Sequence, residues 1–297
     1  MTLTDVKKAG VRRRKKEKRY PDTKAAICFL LPSMLGIVIF FLLPFADTIR
    51  RSFYDALGKQ FRGFQNYSAV LQNKSFQLAA ANTAKFLCIC LPLLMALSLV
   101  FALMMRMVSP GGRRIKTMFL LPMAVPVSSM VLVWKLLFHE RGLANGLLVS
   151  LGAEPVNFMG TGAAFWVLVA TYVWKNCGYD MVLWLSGLDG ISESQYEAAR
   201  VDGAGAFRCF VHITMPSLLP TCGLVSIISL LNGFKVFREA YLVSGAYPHD
   251  SIYLLQHLFN NWFSNMDISR LCAAAVILCT ALLGVILVIQ KFLRSRD

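Results

Sequence analysis

Three ionisable residues, Lys135, Lys175 and Asp180, stand within or beside long apolar stretches of the sequence. A charge buried in a membrane is costly, so such residues usually face a cavity or pair with another group. Lys135 stands where an apolar stretch ends, and its long side chain is expected to reach the membrane surface. Lys175 and Asp180 are five residues apart, which places them about 140° apart on a helix and excludes a simple pair within it. Each is expected either to line a pathway or to pair with a neighbouring helix.

Hydrolytic chemistry within this chain is not expected, because the motifs that it requires are missing. A phosphate-binding loop has the form G-x-x-x-x-G-K-[ST]. The only Gly-Lys pair, Gly58-Lys59, is followed by Gln60 and has Phe53 in place of the first Gly. The four histidines all lie between the apolar stretches, where a histidine-based catalytic or metal site would be hard to assemble. We therefore expect a protein that is not an enzyme and that holds no metal ion or cofactor.

The composition is that of a membrane protein. Of the 297 residues, 56% are hydrophobic and only 16% are charged, whereas soluble proteins have roughly 25% charged residues. The net charge is +15, but 10 of the 31 basic residues lie in the first 24 positions, directly before an apolar stretch. Such a cluster is typical of the cytoplasmic end of a membrane protein and not of a nucleic-acid-binding face. Residues 1–24 are therefore predicted to form a basic cytoplasmic tail that meets anionic lipid, with no nucleic-acid partner.

The apolar stretches have the lengths expected of transmembrane helices. A bilayer core about 30 Å thick requires roughly 20 predominantly apolar residues in a helix. Six stretches come near this length, within a transmembrane domain at residues 25–297. The predicted spans are residues 25–45, 86–105, 117–137, 159–183, 213–234 and 271–290. The sequence thus predicts an all-α integral membrane protein with six transmembrane helices.

The basic residues between the spans predict the orientation of the chain. If the N-terminus is inside, the cytoplasmic segments hold 19 Lys and Arg residues and the outer segments hold 8. Cytoplasmic loops carry such an excess in membrane proteins. Both termini are therefore predicted to be cytoplasmic, in a multi-pass protein of a bacterial cell membrane.

The cytoplasmic loop at residues 190–216 is predicted to contain two short helices. A Ser followed three residues later by Gln or Glu, at Ser192 or at Ser194, is a potential capping box for the first helix. Gly203 can end this helix in the left-handed conformation. A second helix is expected from Ala204 toward Val211, leading into the fifth span.

Ala198 and Ala199 give the first of these helices a surface of small side chains. Another protein's cleft could therefore enclose this helix closely. Alternatively, the helix merely covers the end of the transmembrane bundle, as short interfacial helices do in many membrane proteins. The residue types alone leave both possibilities open.

The loop resembles the EAA motif of the permease subunits of bacterial binding-protein-dependent ABC importers. The resemblance rests on Glu197-Ala198-Ala199, three residues, Gly203, nine residues, Ile213, one residue and Met215-Pro216, where Met215 replaces the usual Leu. Other stretches are similar to the sugar-type branch of the family, which includes maltose and glycerol-3-phosphate permease subunits. These stretches are residues 61–67, 114–122, 174–178 and 231–237. The resemblance covers roughly residues 20–295.

This resemblance implies a type I ABC importer permease fold with a cytoplasmic coupling helix. It also implies a second permease subunit, two ATPase subunits that bind ATP and Mg, and an extracytoplasmic solute-binding protein as partners. A signature between Phe61 and Tyr67 suggests that the second permease is a different polypeptide. The residues implied in coupling to an ATPase are Glu197, Ala198, Ala199, Asp202, Gly203, Ile213 and Pro216.

The fifth span and Lys175 carry the candidate residues of the solute pathway. Sugars are usually held by aromatic faces and by hydrogen-bonding groups, and the end of the fifth span offers Asn232, Phe234, Lys235 and Phe237. Asn232 lies in an apolar stretch and needs a partner or a cavity. A hydrogen bond between helices is the alternative for Asn232, and packing is the alternative for the aromatic residues.

The implied function is ATP-driven import of a carbohydrate or related solute by alternating access, with ATP hydrolysed by separate subunits. The alternative is a secondary transporter driven by an ion gradient. A secondary transporter would explain the spans and the intramembrane charges at Lys175 and Asp180 without partner proteins. It would leave the motif at residues 190–216 unexplained.

Overall fold

The structure, a computed structural model, describes residues 23–107 and 113–294. In these ranges the chain is helical throughout, apart from its loops and one isolated β-bridge between Tyr54 and Phe61. The first helices are α1 (Thr23–Ile37), α2 (Leu43–Ser52), α3 (Gln65–Gln72), α4 (Lys74–Met107), α5 (Arg113–Ala124), α6 (Val127–Leu137) and α7 (Leu143–Ser150). They are followed by α8 (Ala163–Asp189), α9 (Glu193–Val201), α10 (Ala206–Cys209), α11 (Met215–Ser217), α12 (Leu219–Gly233), α13 (Phe237–Ser244), α14 (Leu255–Ser264) and α15 (Ile268–Arg294).

The chain divides into two compact units, residues 1–48 and residues 49–297. The described part of the first unit contains α1, a π-helical turn at Val38–Leu42 and the beginning of α2. Helix continues through these elements, and residues 27–52 are long and apolar enough to cross a membrane. The predicted basic tail at residues 1–24 lies almost entirely outside the described residues.

The second unit is built around α8, which packs against α4, α5 and α12. Sixteen of the 27 residues of α8 are buried, so this helix is enclosed by protein on most of its surface. Because α8 is enclosed, its polar side chains can form hydrogen bonds with the neighbouring helices. Gly178 allows α8 to lie directly against the backbone of α5, because a Cβ at this position would overlap the backbone carbonyl of Phe119.

Among residues 23–107 and 113–294, four helical segments are long and apolar enough to cross a membrane, and a fifth is added if one bent helix pair counts as a single span. The four segments are residues 27–52, 74–107, 219–244 and 268–293. Helix α8, which corresponds to the predicted span at residues 159–183, is not among them because Lys175, Asn176 and Asp180 reduce its apolar character. The six-span count therefore remains a prediction.

The predicted span at residues 117–137 is not one continuous helix. Residues 116–124 and 127–137 form two helices that meet at 91°. Pro126 accounts for the break, because proline has no backbone N–H to donate and disfavours helical geometry in the preceding residue, Val125. Pro122, by contrast, is accommodated within α5.

The predicted span at residues 213–234 also differs in its limits. A π-helical turn at Phe210–Thr214 and the short α11 precede α12, and a 3-10 turn at Phe234–Val236 connects α12 to α13. The apolar stretch therefore runs over residues 219–244. The second loop helix is shorter than expected, since α10 ends at Cys209 and the π-helical turn takes its place.

Candidate solute pocket and coupling loop

A pocket of about 340 Å³ lies where the break between α5 and α6 meets α8 and the junction of α12 with α13. We call it the charged pocket. Its lining residues are Met123, Ala124, Val125, Pro126, Val127, Thr171, Tyr172, Lys175, Asn176, Asn232, Lys235, Val236, Arg238 and Glu239. Irregular backbone at membrane depth is tolerated where it is buried in protein or lines a cavity, and transporters often form their binding sites at broken helices. The helix break at Pro126 likewise lines the charged pocket.

An ion pair joins two walls of the charged pocket. Lys175 Nζ in α8 lies 2.5 Å from Glu239 Oε1 in α13. The side chains are only 15% and 7% exposed, respectively, so removing either one would leave a largely buried charge. The second carboxylate oxygen, Glu239 Oε2, is buried and has no hydrogen-bond partner among the described residues. Lys175 thus both lines the pocket and pairs with a neighbouring helix, which are the two roles that the sequence left open.

Two further cations line the charged pocket from the end of α12 and the start of α13. Lys235 Nζ donates a hydrogen bond to Asn232 Oδ1 at 2.8 Å. Arg238 is exposed, and in the described ranges neither Lys235 nor Arg238 lies within ion-pair distance of a carboxylate. The pocket therefore has three cations and one carboxylate on its walls.

Three of the five predicted pathway residues, Lys175, Asn232 and Lys235, line the charged pocket. Phe234 and Phe237 are not among its lining residues. Phe237 instead packs against His257, with the ring centroids 4.8 Å apart and the rings nearly perpendicular. The structure therefore supports the alternative that Phe237 has a packing role.

Several lining residues were not singled out from the sequence, among them Glu239, Arg238 and Asn176. Glu239 and Arg238 stand beyond the end of the predicted fifth span, and the continuation of helix to Ser244 brings them to the pocket. Asn176 directly follows Lys175. Two adjacent polar residues within an apolar helix were the sequence signal that could have identified Asn176 as a pocket residue. No sequence signal specified that the backbone around Pro126 would form the facing wall.

Asp180 is 1% exposed and accepts a hydrogen bond of 2.6 Å from the Ser229 hydroxyl in α12. About two turns earlier in α8, Tyr172 lines the pocket, and its hydroxyl donates to the backbone carbonyl of the same serine at 2.8 Å. Two polar contacts thus connect α8 to α12. Asp180 pairs with a neighbouring helix and is not among the residues that line the pocket.

The loop at residues 190–216 presents α9 at the surface. Gly203 has a φ of +77°, as predicted. Its N–H bonds to the carbonyl of Arg200, and the N–H of Ala204 bonds to the carbonyl of Ala199. This pair of bonds is the Schellman motif that ends many helices. The expected capping box is absent, because the Ser192 side chain makes no cap hydrogen bond and instead bonds to the hydroxyl of Ser194.

The predicted coupling residues lie along this surface. Glu197, Ala198, Asp202, Gly203 and Pro216 are exposed, and Ala199 and Ile213 are half-buried. Large apolar side chains are exposed beside them, with Val201 at 88% and Phe207 at 79%. Exposed apolar side chains next to small ones are typical of a surface that another protein covers.

Tyr196 ties α9 to the rest of the second unit, and the sequence did not single it out. Its hydroxyl lies 2.8 Å from the Thr214 hydroxyl, in the π-helical turn before α11. Arg106, near the end of α4, donates a hydrogen bond to the same hydroxyl at 3.3 Å and places its guanidinium over the ring. These contacts join α9 to α4 and to the chain that leads into α12.

The motif at residues 61–67 forms a small structured cluster. The Asn66 side-chain amide donates hydrogen bonds of 2.8 Å to the backbone carbonyls of Ser52 and Tyr54. The Tyr67 hydroxyl lies 2.6 Å from the Ser52 hydroxyl, and the rings of Phe64 and Tyr67 pack together. Asn66 and Tyr67 thus fix the turn that connects α2 to α3.

In the part of the chain that the structure describes, no three His, Cys, Asp or Glu side chains are grouped so that they could hold a metal ion. The charged pocket offers ammonium, guanidinium, amide, hydroxyl and carboxylate groups. These groups suit hydrogen bonds and ion pairs with a polar solute.

Residues 86–296 match the family model of the "Binding-protein-dependent transport system inner membrane component". Over 284 residues the chain is 30% identical to the trehalose/maltose transport system permease protein MalF of Thermococcus litoralis, covering 94% of this chain and 96% of that protein. It is 29% identical to the sulfoquinovosyl glycerol transport system permease protein SmoG of Agrobacterium fabrum, covering 93% and 92%.

The fold is similar to that of a chain in the crystal structure of a bacterial alginate ABC transporter in complex with an alginate pentasaccharide-bound periplasmic protein. The TM-score is 0.78 at 21% identity, covering 92% of this chain and 94% of that chain. The fold is thus that of an ABC importer permease. The chain belongs to the family of inner membrane components of binding-protein-dependent transport systems.

Proposed function

We propose that this chain is the membrane-spanning permease subunit of an ATP-driven importer that translocates a carbohydrate or a related solute. The observation that carries the proposal is the exposed helix α9 with its left-handed Gly203 end, within a chain of this family. The names of the relatives support the solute class, since one transports trehalose or maltose and another sulfoquinovosyl glycerol. An extracytoplasmic binding protein delivers the solute.

The proposed complex contains a second, different permease and two ATPase subunits. These ATPases bind ATP and Mg, since the sequence of this chain contains no phosphate-binding loop. Both termini are cytoplasmic in this arrangement, and the basic tail meets anionic lipid. Helix α9 occupies a groove of one ATPase, where Ala198 and Ala199 permit close approach and Glu197 contributes a charge at the contact.

Movement of α9 is proposed to change the access to the charged pocket. The loop at residues 190–216 is the chain between α8 and α12, which both contribute to the pocket walls. Tyr196 connects α9 to Thr214 and Arg106, so a displacement of α9 reaches the bundle. ATP binding and hydrolysis then shift the equilibrium between outward-open and inward-open states.

The first test is co-purification and uptake in the complete importer. The tagged chain is expressed with its genomic neighbours, and the co-purifying proteins are identified by mass spectrometry. We expect a second permease and an ATPase, both in reduced amount with Glu197→Lys. Glu154→Lys makes the same charge change at an exposed site in a different loop and should leave recovery unchanged. Normal recovery and normal uptake with Glu197→Lys would contradict the proposed coupling site.

A secondary transporter would behave differently in the same preparation. Its uptake would be abolished by a protonophore and would not require ATP. Uptake into proteoliposomes that depends on internal ATP and resists a protonophore is the result expected for the importer. A chain that purifies alone and retains protonophore-sensitive uptake would overturn the proposed function.

A further inference from the structure

The walls of the charged pocket carry more positive than negative charge. Lys175 is balanced by Glu239 in the ion pair between α8 and α13. Lys235 is hydrogen-bonded only to the neutral Asn232 side chain, and Arg238 has no carboxylate partner in the described ranges. Two cations on the same wall are therefore not compensated within the part of the chain that the structure describes.

Lys235 and Arg238 are three residues apart, at the 3-10 turn and the first turn of α13. Residues at this spacing face the same side of a helix. Both are exposed and both line the charged pocket, so their charged groups are available to a molecule that enters it. Their charges would act together on one anionic group.

The backbone at the start of α6, on another wall of the pocket, adds to the positive charge of Lys235 and Arg238. Helix α6 begins at Val127, and Val127 and the N-cap residue Pro126 line the same pocket. The first N–H groups of a helix carry partial positive charge and favour anions. The helix terminus alone would not define a site, but here it faces the same pocket as Lys235 and Arg238.

The remaining groups suit the uncharged part of a polar solute. Tyr172 and Asn176 line the pocket beside the Lys175–Glu239 pair. The Tyr172 hydroxyl donates to Ser229 and the Asn176 amide donates to the Tyr172 carbonyl, and the side-chain oxygens of both residues can accept hydrogen bonds from sugar hydroxyls. Glu239 is 5% exposed, and its Oε2 has no donor among the described residues. The volume of about 340 Å³ falls within the range of small-molecule pockets.

We propose that the charged pocket selects an anionic carbohydrate, a sugar that carries a carboxylate, phosphate or sulfonate group. Lys235 and Arg238 bind the anionic group, and the region around Tyr172, Asn176 and Glu239 binds the hydroxyls. This inference rests on the proposed function, and it specifies the class of solute that the permease recognises.

The test measures binding to the purified importer complex in the absence of the binding protein, so that only the membrane subunits can discriminate. The probes are glucuronate, glucose 6-phosphate, inorganic phosphate and neutral glucose, at one ionic strength. The readout is the rise in the thermal unfolding midpoint with probe concentration, because a ligand that binds the folded state stabilises it. We expect saturable stabilisation by glucuronate or glucose 6-phosphate, and at least tenfold weaker apparent affinity for glucose and for inorganic phosphate.

The variants separate the pocket from general ionic effects. The double variant Lys235→Gln with Arg238→Gln changes exposed side chains and should weaken the binding of the anionic sugars at least tenfold. Lys59→Gln removes one charge at an exposed site outside the pocket and should leave this binding unchanged. A preference for glucuronate or for glucose 6-phosphate would distinguish a carboxylate from a phosphate as the recognised group.

Three results would overturn the inference. They are equal stabilisation by glucose and by the anionic sugars, an unchanged response in the double variant, and no response to either anionic sugar. ATP hydrolysis stimulated by the binding protein is measured on the same preparation. If hydrolysis is stimulated but the anion preference is missing, only the solute class is wrong. If hydrolysis is not stimulated, the proposed function itself fails.

Discussion

Acidification is expected to destabilise the folded chain through His257, which lies in α14, outside the candidate membrane spans. This imidazole is fully buried and packs against the rings of Phe237 and Tyr253. Its Nδ1 accepts a hydrogen bond from the backbone N–H of Leu254 at 3.2 Å, so this nitrogen carries no proton. Burial lowers the pKa of His257 from 6.5 to about 4.

The sign and the size of the effect follow from this lowered pKa. The unfolded chain binds a proton on His257 below pH 6.5, whereas the folded chain resists protonation until about pH 4. The contribution of neutral His257 to stability is therefore fully present above pH 6.5 and is lost as the pH falls through this window. At about 1.4 kcal/mol for each pKa unit, the total loss is about 3–4 kcal/mol.

The assay compares the thermal unfolding midpoint of the purified importer between pH 7.5 and pH 4.5 for the native chain and for His257→Gln. Glutamine retains a hydrogen-bond acceptor but does not titrate. All other titrating groups are common to both proteins, so the difference between the two profiles isolates His257. The native midpoint should fall more steeply below pH 6.5. Parallel profiles across the whole range would refute the reasoning.

Three further predictions concern the α8 packing, the ion pair and the loop. Lys175→Met or Glu239→Gln alone should cost about 3–5 kcal/mol by leaving a buried charge, and the double variant should lower the unfolding midpoint less than either single variant. Gly178→Ala should cost about 1–3 kcal/mol, because the added methyl overlaps the α5 backbone. Gly284→Ala meets open space and should leave the midpoint unchanged or raised. Gly203→Ala places a side chain at a φ of +77° at a cost of about 1–2 kcal/mol, which should reduce ATP-driven uptake; normal uptake would contradict the proposed role of this helix end.

Sequence patterns predicted the helical class and the left-handed end of α9, because both depend on local properties. Long uncharged stretches require helices in a membrane, and Gly203 tolerates a backbone conformation that other residues avoid. The 91° break at Pro126 was harder to predict, because Pro92 and Pro122 remain within α4 and α5. Whether a proline breaks a helix in a membrane depends on the neighbours that satisfy the freed backbone groups.

The candidate pocket was only partly predictable for a similar reason. Lys175 and Asn232 stood out because polar residues are rare in apolar stretches. Glu239 did not, because it followed the predicted end of the fifth span and its partner lies 64 residues earlier. Pairs so distant in the chain are set by how the helices pack, which periodicity and composition do not specify.

The position of the Lys175–Glu239 pair has a consequence for any movement of the pocket walls. Lys175 belongs to α8 and Glu239 to α13, whereas Asp180 and Ser229 hold α8 to α12 further along the helix. If α12 and α13 move together against α8, both contacts must change, and each buried group then needs a new partner. Hydroxyls of the bound sugar would supply hydrogen bonds to the separated members of the Lys175–Glu239 pair. Solute binding and separation of these walls would therefore favour each other.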